Sequence, residues 1–128
     1  MEKSNRTIIV AGVIVLVLIV ALLVFANQST GGPGKYDAFA ACLKDKGAVF
    51  YGAFWCPHCQ NQKAMFGSSE KYLPYIECSN PDGQSQNGIC NAEGIKGYPT
   101  WVFPDKSTTT GEVPLATLAE KTGCTLPK

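Results

Sequence analysis

Hydrophobic and polar positions follow two different patterns along this chain. From Ile8 to Ala26 there is no charge in 19 residues, and 18 of them are apolar. A helix with that pattern is apolar on every face. At about 1.5 Å per residue it spans roughly 28 Å, close to the ~30 Å hydrocarbon core of a bilayer. The pattern predicts a transmembrane helix over 8–26. From Tyr36 onward the apolar positions are spaced instead. Tyr36, Phe39, Ala40, Cys42 and Leu43 share one helical face, and Gly47 stops the pattern. Ala48 to Trp55 is a short apolar and aromatic run suited to a buried central strand. After a turn at Cys56-Pro57-His58-Cys59, residues Gln60 to Gly67 read as a helix, Tyr72 to Cys78 as a second strand and Ser79 to Gly88 as a polar loop. A short helix is expected over Ile89 to Glu93. Pro99 to Phe103 and Thr108 to Val113 form two more strands joined by a turn at Pro104 to Ser107. Pro114 is placed like a first helical residue, with Leu115, Leu118 and Ala119 as the stripe and Gly123 as the stop. The order α-β-α-β-α-β-β-α predicts an α/β domain.

Composition narrows the class. With 128 residues there is room for one domain beyond the apolar run. From Asn27 onward nine Lys balance nine Asp plus Glu, so no basic field is present to hold nucleic acid. Lys3 and Arg6 precede the apolar run and only Lys35 follows closely. The positive-inside bias therefore puts residues 1–7 in the cytoplasm and residues 35–128 outside, periplasmic or at the cell surface. A cleaved signal peptide is the rival reading, with Val24 and Ala26 before the cut, but the run is longer than a usual signal core. Residues 27–34, NQSTGGPG, form a flexible linker reaching roughly 15 Å, which would keep the domain at the lipid surface. The sequon at Asn27-Gln28-Ser29 sits against the bilayer and carries little weight. Export to an oxidising compartment lets cysteines persist as disulfides.

The chemistry concentrates at Cys56-Pro57-His58-Cys59. Two thiols on the first turn of a helix can close a small disulfide ring, and the helix N-terminus favours a thiolate on the leading sulfur. Cys56 is the expected nucleophile, exposed at the start of the helix. A protonated His58 would stabilise its thiolate and so favour the reduced pair, which makes a stronger oxidant. Pro57 fits the first helical turn. A zinc site would need further ligands, yet Cys78 and Cys90 stand 12 positions apart and His58 is the only histidine. No metal or organic cofactor is expected, and Asn80 and Asp82 read as a turn rather than a calcium loop. An inert structural bridge remains the plain alternative. The second piece is Gly97-Tyr98-Pro99-Thr100, where a proline at the head of a strand offers no NH to the ladder and is either a sharp cis bend or an ordinary trans opening.

FWCPHC after a strand and GYPTW at a later strand resemble the thioredoxin superfamily from about Tyr36 to Cys124. With YIEC, IKGYPTW and LAEKTGC, the string YGAFWCPHCQNQKAMFG looks more narrowly like the thioredoxin-like domain associated with bacterial vitamin K epoxide reductase homologues. The resemblance implies a thioredoxin-like fold, a central mixed sheet of about four strands flanked by helices. It implies that Cys56 attacks, Cys59 resolves and Pro99 is a cis-proline facing them, with Trp55, His58 and Tyr98 bordering the exchange surface. It further implies a relay of disulfides between secreted proteins and a membrane-embedded, quinone-linked oxidase. This chain has one apolar span, so such a partner would act in trans. The Pro-His dipeptide also resembles that of DsbA-type thiol oxidants. One departure concerns position 50, six residues before Cys56, where many thioredoxins hold an acid and this chain has Phe50.

The resemblance also implies a Cys78–Cys90 disulfide, with a second relay dithiol as the alternative. Such a bridge could contribute ~3 kcal/mol. Cys42 and Cys124 are then left to each other by elimination, although their helices can lie on opposite faces of such a sheet and free buried thiols are the alternative. Glu77, beside Cys78, reads either as a buried acid near the dithiol or, as strand alternation favours, as a solvent-facing residue. The expected function is a membrane-anchored extracytoplasmic thiol-disulfide oxidoreductase that donates disulfides to secreted proteins and is reoxidised by a vitamin K epoxide reductase-type partner. A reductase or isomerase, and a non-catalytic binding module, are the alternatives.

Overall fold

The computed structural model describes residues 2–26 and 32–128, and divides at Gly32 and Pro33 into two units. The first holds helix α1 (Glu2–Ala26). Its described side chains, Arg6 and residues 8–24, are all exposed. Among the described residues no helix is long and apolar enough to cross a membrane. The described apolar side chains run from Ile8 to Val24 and do not include those of Phe25 and Ala26. Residues 27–31 of the expected linker lie outside the described residues.

The second unit contains α2 (Asp37–Asp45), β1 (Val49–Gly52), α3 (Pro57–Ala64), a 3-10 helix (Gly67–Tyr72), β2 (Tyr75–Glu77), α4 (Gly88–Ala92), β3 (Thr100–Val102), β4 (Thr108–Thr110) and α5 (Leu115–Thr122). The sheet order is β2-β1-β3-β4. β1 runs parallel to β2 and antiparallel to β3, and β3 pairs antiparallel with β4, so the sheet is mixed, with four strands. Alternation along β1 explains the two layers. Phe50 joins the larger core with Phe39 and Leu43 of α2, Phe66, Trp101, Phe103 and Leu118 of α5. Tyr51 points to the other face, where Cys78, Cys90 and Ile95 pack. Each large apolar side chain buried this way is worth ~1.5–3 kcal/mol. The stack of Phe50 on Trp101, with ring centroids 5.0 Å apart, fills the centre.

The element order follows the sequence pattern, and the boundaries differ where tertiary contacts intervene. β1 stops at Gly52 rather than Trp55, and the chain turns there as the Cys56 N–H bonds back to the Ala53 carbonyl. Gly52 itself leaves no room for a side chain, since a Cβ would come within 2.8 Å of the Tyr75 ring and 2.9 Å of Cys59 Sγ. α3 begins at Pro57, earlier than the expected Gln60. The 3-10 helix absorbs Tyr72 and shortens β2, and Ser69 within it accepts the Tyr36 N–H at 3.0 Å. Pro114 caps α5 from one position outside it, and Gly123 ends it in the left-handed conformation at φ 72°. Helices α2 and α5 pack on the same sheet face rather than opposite ones, because Phe39, Leu43 and Leu118 share one core.

Candidate functional site

Cys56 is the N-cap of α3, with extended φ and ψ of −80° and 117°. A turn that returns its N–H to the Ala53 carbonyl at 3.0 Å lifts the cysteine off the end of β1. Pro57 follows at the first helical position, where its missing N–H costs nothing. The Cys59 N–H donates to Cys56 Sγ at 3.4 Å, which holds the two sulfurs on one helical turn. Both thiols are free and both are buried, so Cys56, 5% accessible with the Tyr98 segment packed against it, is not the exposed thiol that its place at the helix start suggested. Cys59 is the deeper of the two, and its thiol is pushed up to about 12, first by burial and then by its hydrogen bond with Cys56.

Tyr98 and Pro99 close the other side. The Tyr98–Pro99 peptide is cis, and Cys56 Sγ lies 3.7 Å from the Tyr98 carbonyl oxygen. The Tyr98 hydroxyl donates to Gln86 Oε1. Trp55 meets the Tyr98 ring edge-on at 5.9 Å and donates its indole N–H to Ser79 Oγ at 3.0 Å. Phe54 and Trp55 are about half exposed, at 51% and 49%, and give the dithiol an apolar rim that a partner peptide can cover. Thus Trp55, Cys56, Cys59, Tyr98 and Pro99, expected from distant parts of the sequence, come together. Pro57 and His58 are exposed on the first turn beside them.

His58 has a partner that sequence did not suggest. Its Nδ1 is 2.7 Å from Glu112 Oε1, which also accepts Asn61 Nδ2 at 3.0 Å. These contacts hold the Glu112 carboxyl below the ordinary carboxylate range, the His58 bond being the larger cause. Fifty-four positions separate the pair, so no local signal could have found it. Glu77 also departs from its expected solvent position. It is half-buried, and its carboxylate accepts Tyr75 Oη–H at 2.7 Å and the N–H groups of Ser79 at 2.8 Å and Phe54 at 3.2 Å. Burial, then the bond to Glu77, keeps the Tyr75 phenol protonated well above its usual range. Gln62 is a third residue that sequence missed. Fully buried on α3, it accepts from Trp101 Nε1 at 3.2 Å and Val113 N–H at 2.6 Å and donates to the Val113 carbonyl at 3.0 Å. That network anchors the helix that carries the dithiol.

The other cysteines lie in two bridges, Cys42–Cys124 and Cys78–Cys90, with Cα atoms 5.9 and 5.5 Å apart. The first ties α2 to the residue after Gly123, and the second staples the end of β2 to α4. What remains is one reduced pair at a helix terminus beside the Tyr98 carbonyl that precedes the cis-proline, an arrangement suited to thiol-disulfide exchange.

Comparison with known sequences agrees. The thioredoxin family profile matches residues 34–122. The chain is 47% identical over 108 residues to the thiol-disulfide oxidoreductase LTO1 of Arabidopsis thaliana. That match covers 80% of this chain and 28% of the relative, so the chain spans under a third of that protein's length.

Proposed function

This chain belongs to the thioredoxin family, and on that premise we propose that it is a membrane-anchored, extracytoplasmic thiol-disulfide oxidoreductase that donates disulfides to secreted proteins. The observation that carries the chemistry is the Cys56–Cys59 pair on the first turn of α3, with Cys56 Sγ against the Tyr98 carbonyl. A substrate thiolate attacks Cys56 of the oxidised pair, the Cys56–Cys59 bond breaks, and Cys59 leaves as a thiolate that takes up a proton. A second thiolate of the same substrate then attacks the substrate sulfur bonded to Cys56, forming the substrate disulfide and releasing Cys56 as a thiolate. The Cys56 thiolate then attacks a disulfide of a membrane-embedded, quinone-linked oxidase of the vitamin K epoxide reductase type. Cys59 closes the pair and frees that oxidase as a dithiol. Two electrons pass from substrate to oxidase in each cycle.

The anchor is supported by the uncharged stretch from Ile8 to Ala26, all of it within α1. The outward location is supported by the two structural bridges, since disulfides of this kind persist where the environment oxidises them. The reduction potential of the Cys56–Cys59 pair, set by glutathione equilibration of the full chain and read by thiol trapping, tests the direction. A value between about −120 and −180 mV supports the disulfide donor, and one near about −270 mV overturns it in favour of a reductase. Labelling of intact cells with a membrane-impermeant thiol reagent tests the location. Failure to label reduced Cys56 there while it labels in lysed cells sinks the outward-facing assignment.

A further inference from the structure

The thiol that must release a partner from Cys56 is the one least ready to react. Attack requires the thiolate, and Cys59 is buried with its thiol pushed up to about 12. The position that could hold an acid beneath it is filled by Phe50, whose ring stacks on Trp101 and meets Tyr75 edge-on with centroids 5.0 Å apart. A cation stands one helical turn along α3 instead. Cys59 and Lys63 stand four residues apart on α3, so they emerge from the same helical face. Lys63 Nζ lies 3.5 Å from the centroid of the Tyr75 ring. The edge of that ring and Cys59 Sγ both border the space above the Gly52 Cα, where an added Cβ would come within 2.8 Å of one and 2.9 Å of the other. The Tyr75 ring thus carries Lys63 on its face and lies beside Cys59. The ring is held in place by its bond to Glu77, which two backbone N–H groups hold in turn.

We propose that Lys63, seated on the Tyr75 ring, is a positioning residue that brings positive charge to Cys59 in the step where Cys59 resolves the mixed disulfide. The inference rests on the oxidoreductase reading above. In that step the Cys59 proton passes to water, the thiolate forms a bond to Cys56 Sγ, and the bond from Cys56 to the partner sulfur breaks. The partner leaves as a thiolate and takes up a proton, and no further oxidant or reductant is needed. The titratable groups around Cys59 are Cys56 at the cap of α3, Lys63 on the same helix, Tyr75 and behind it Glu77 on β2, and Tyr98 ahead of β3. β1 offers Phe50 and Gly52, which do not titrate. His58 is bonded to Glu112. Against its burial the Cys59 thiol is drawn downward first by a backbone hydrogen bond at Ala53 and then, among the charged groups, by Lys63. A cation on an aromatic face is favourable in its own right, so a purely structural Lys63 would change stability and leave the pH dependence of resolution alone.

The test uses the reduced full chain in detergent micelles, mixed with oxidised glutathione across a pH series. Acid quenching and mass spectrometry then count reduced protein, glutathione mixed disulfide and closed Cys56–Cys59 disulfide. In Lys63→Gln the mixed disulfide should accumulate, closure at neutral pH should slow about tenfold, and its pH profile should move up by about one unit. Lys63→Met should behave in the same way, and Lys63→Arg should restore the wild-type profile. Overlaying profiles for Lys63→Gln and wild type in folded protein overturn the proposal, as does a Lys63→Arg variant as slow as Lys63→Gln. If the wild-type chain itself neither forms nor closes the mixed disulfide, the oxidoreductase reading has failed instead.

Discussion

Two loops leave the sheet side by side, from the ends of the parallel strands β1 and β2, and each carries a pair of cysteines. After β1, Cys56 and Cys59 share one helical turn, with an exposed aromatic rim and a carbonyl from a third segment beside the leading sulfur. After β2, Cys78 and Cys90 are 12 residues apart and bridged, both with no exposed surface. The side chains are identical, and the surroundings assign the roles. The pair beneath the exposed rim of Phe54 and Trp55 is left free to exchange, whereas the pair enclosed by Tyr51 and Ile95 is bridged and restrains the chain.

The widest gap between the loops should appear on removing one sulfur from each. Cys56→Ser is expected to abolish exchange with glutathione while leaving the thermal transition in place. Replacing Cys78 and Cys90 together with Ala should leave exchange in the folded protein intact and lower the unfolding free energy by about 3 kcal/mol, read from urea titration. If the double variant lost exchange at a temperature where circular dichroism shows it folded, the second pair would be a relay and the contrast would collapse. The smallest effect is expected at the exposed edge of the first loop. Because bonding to His58 and Asn61 holds the Glu112 carboxyl low, the contribution of that contact is present above the ordinary carboxylate range and is lost as pH falls through the depressed value. His58→Ala should therefore raise the Glu112 titration midpoint, measured by carboxyl NMR, with little change in overall stability. An unmoved midpoint would show that Asn61 alone sets it.

The elements were legible wherever the physical cause was local. The stripe of α2, the apolar run of β1 and the Gly123 stop of α5 each depend on neighbouring residues, and the structure has them within a few positions. The 3-10 helix at Gly67–Tyr72 had no comparable local signal, because it is held by a bond from Ser69 to the Tyr36 N–H 33 positions away. The dithiol could be read because cap, proline and both cysteines lie within four consecutive positions. Gln62 and Glu112 could not be read as part of the site, because the partners that hold them come from other elements. Glu77 was ambiguous, because strand alternation points it to solvent while the Phe54 N–H that it accepts lies 23 positions away.

The amino-acid sequence by itself determined where the reactive pair sits, that a proline-headed strand follows it, and that an uncharged apolar stretch precedes the domain, because spacing and residue type carry those features. Tertiary structure alone decided that α2 and α5 share a face and so bring Cys42 to Cys124, that His58 meets Glu112, and that the Tyr75 ring packs under Lys63 and beside Cys59. Those pairings depend on how separate elements pack, and packing is set by contacts between residues far apart in the chain.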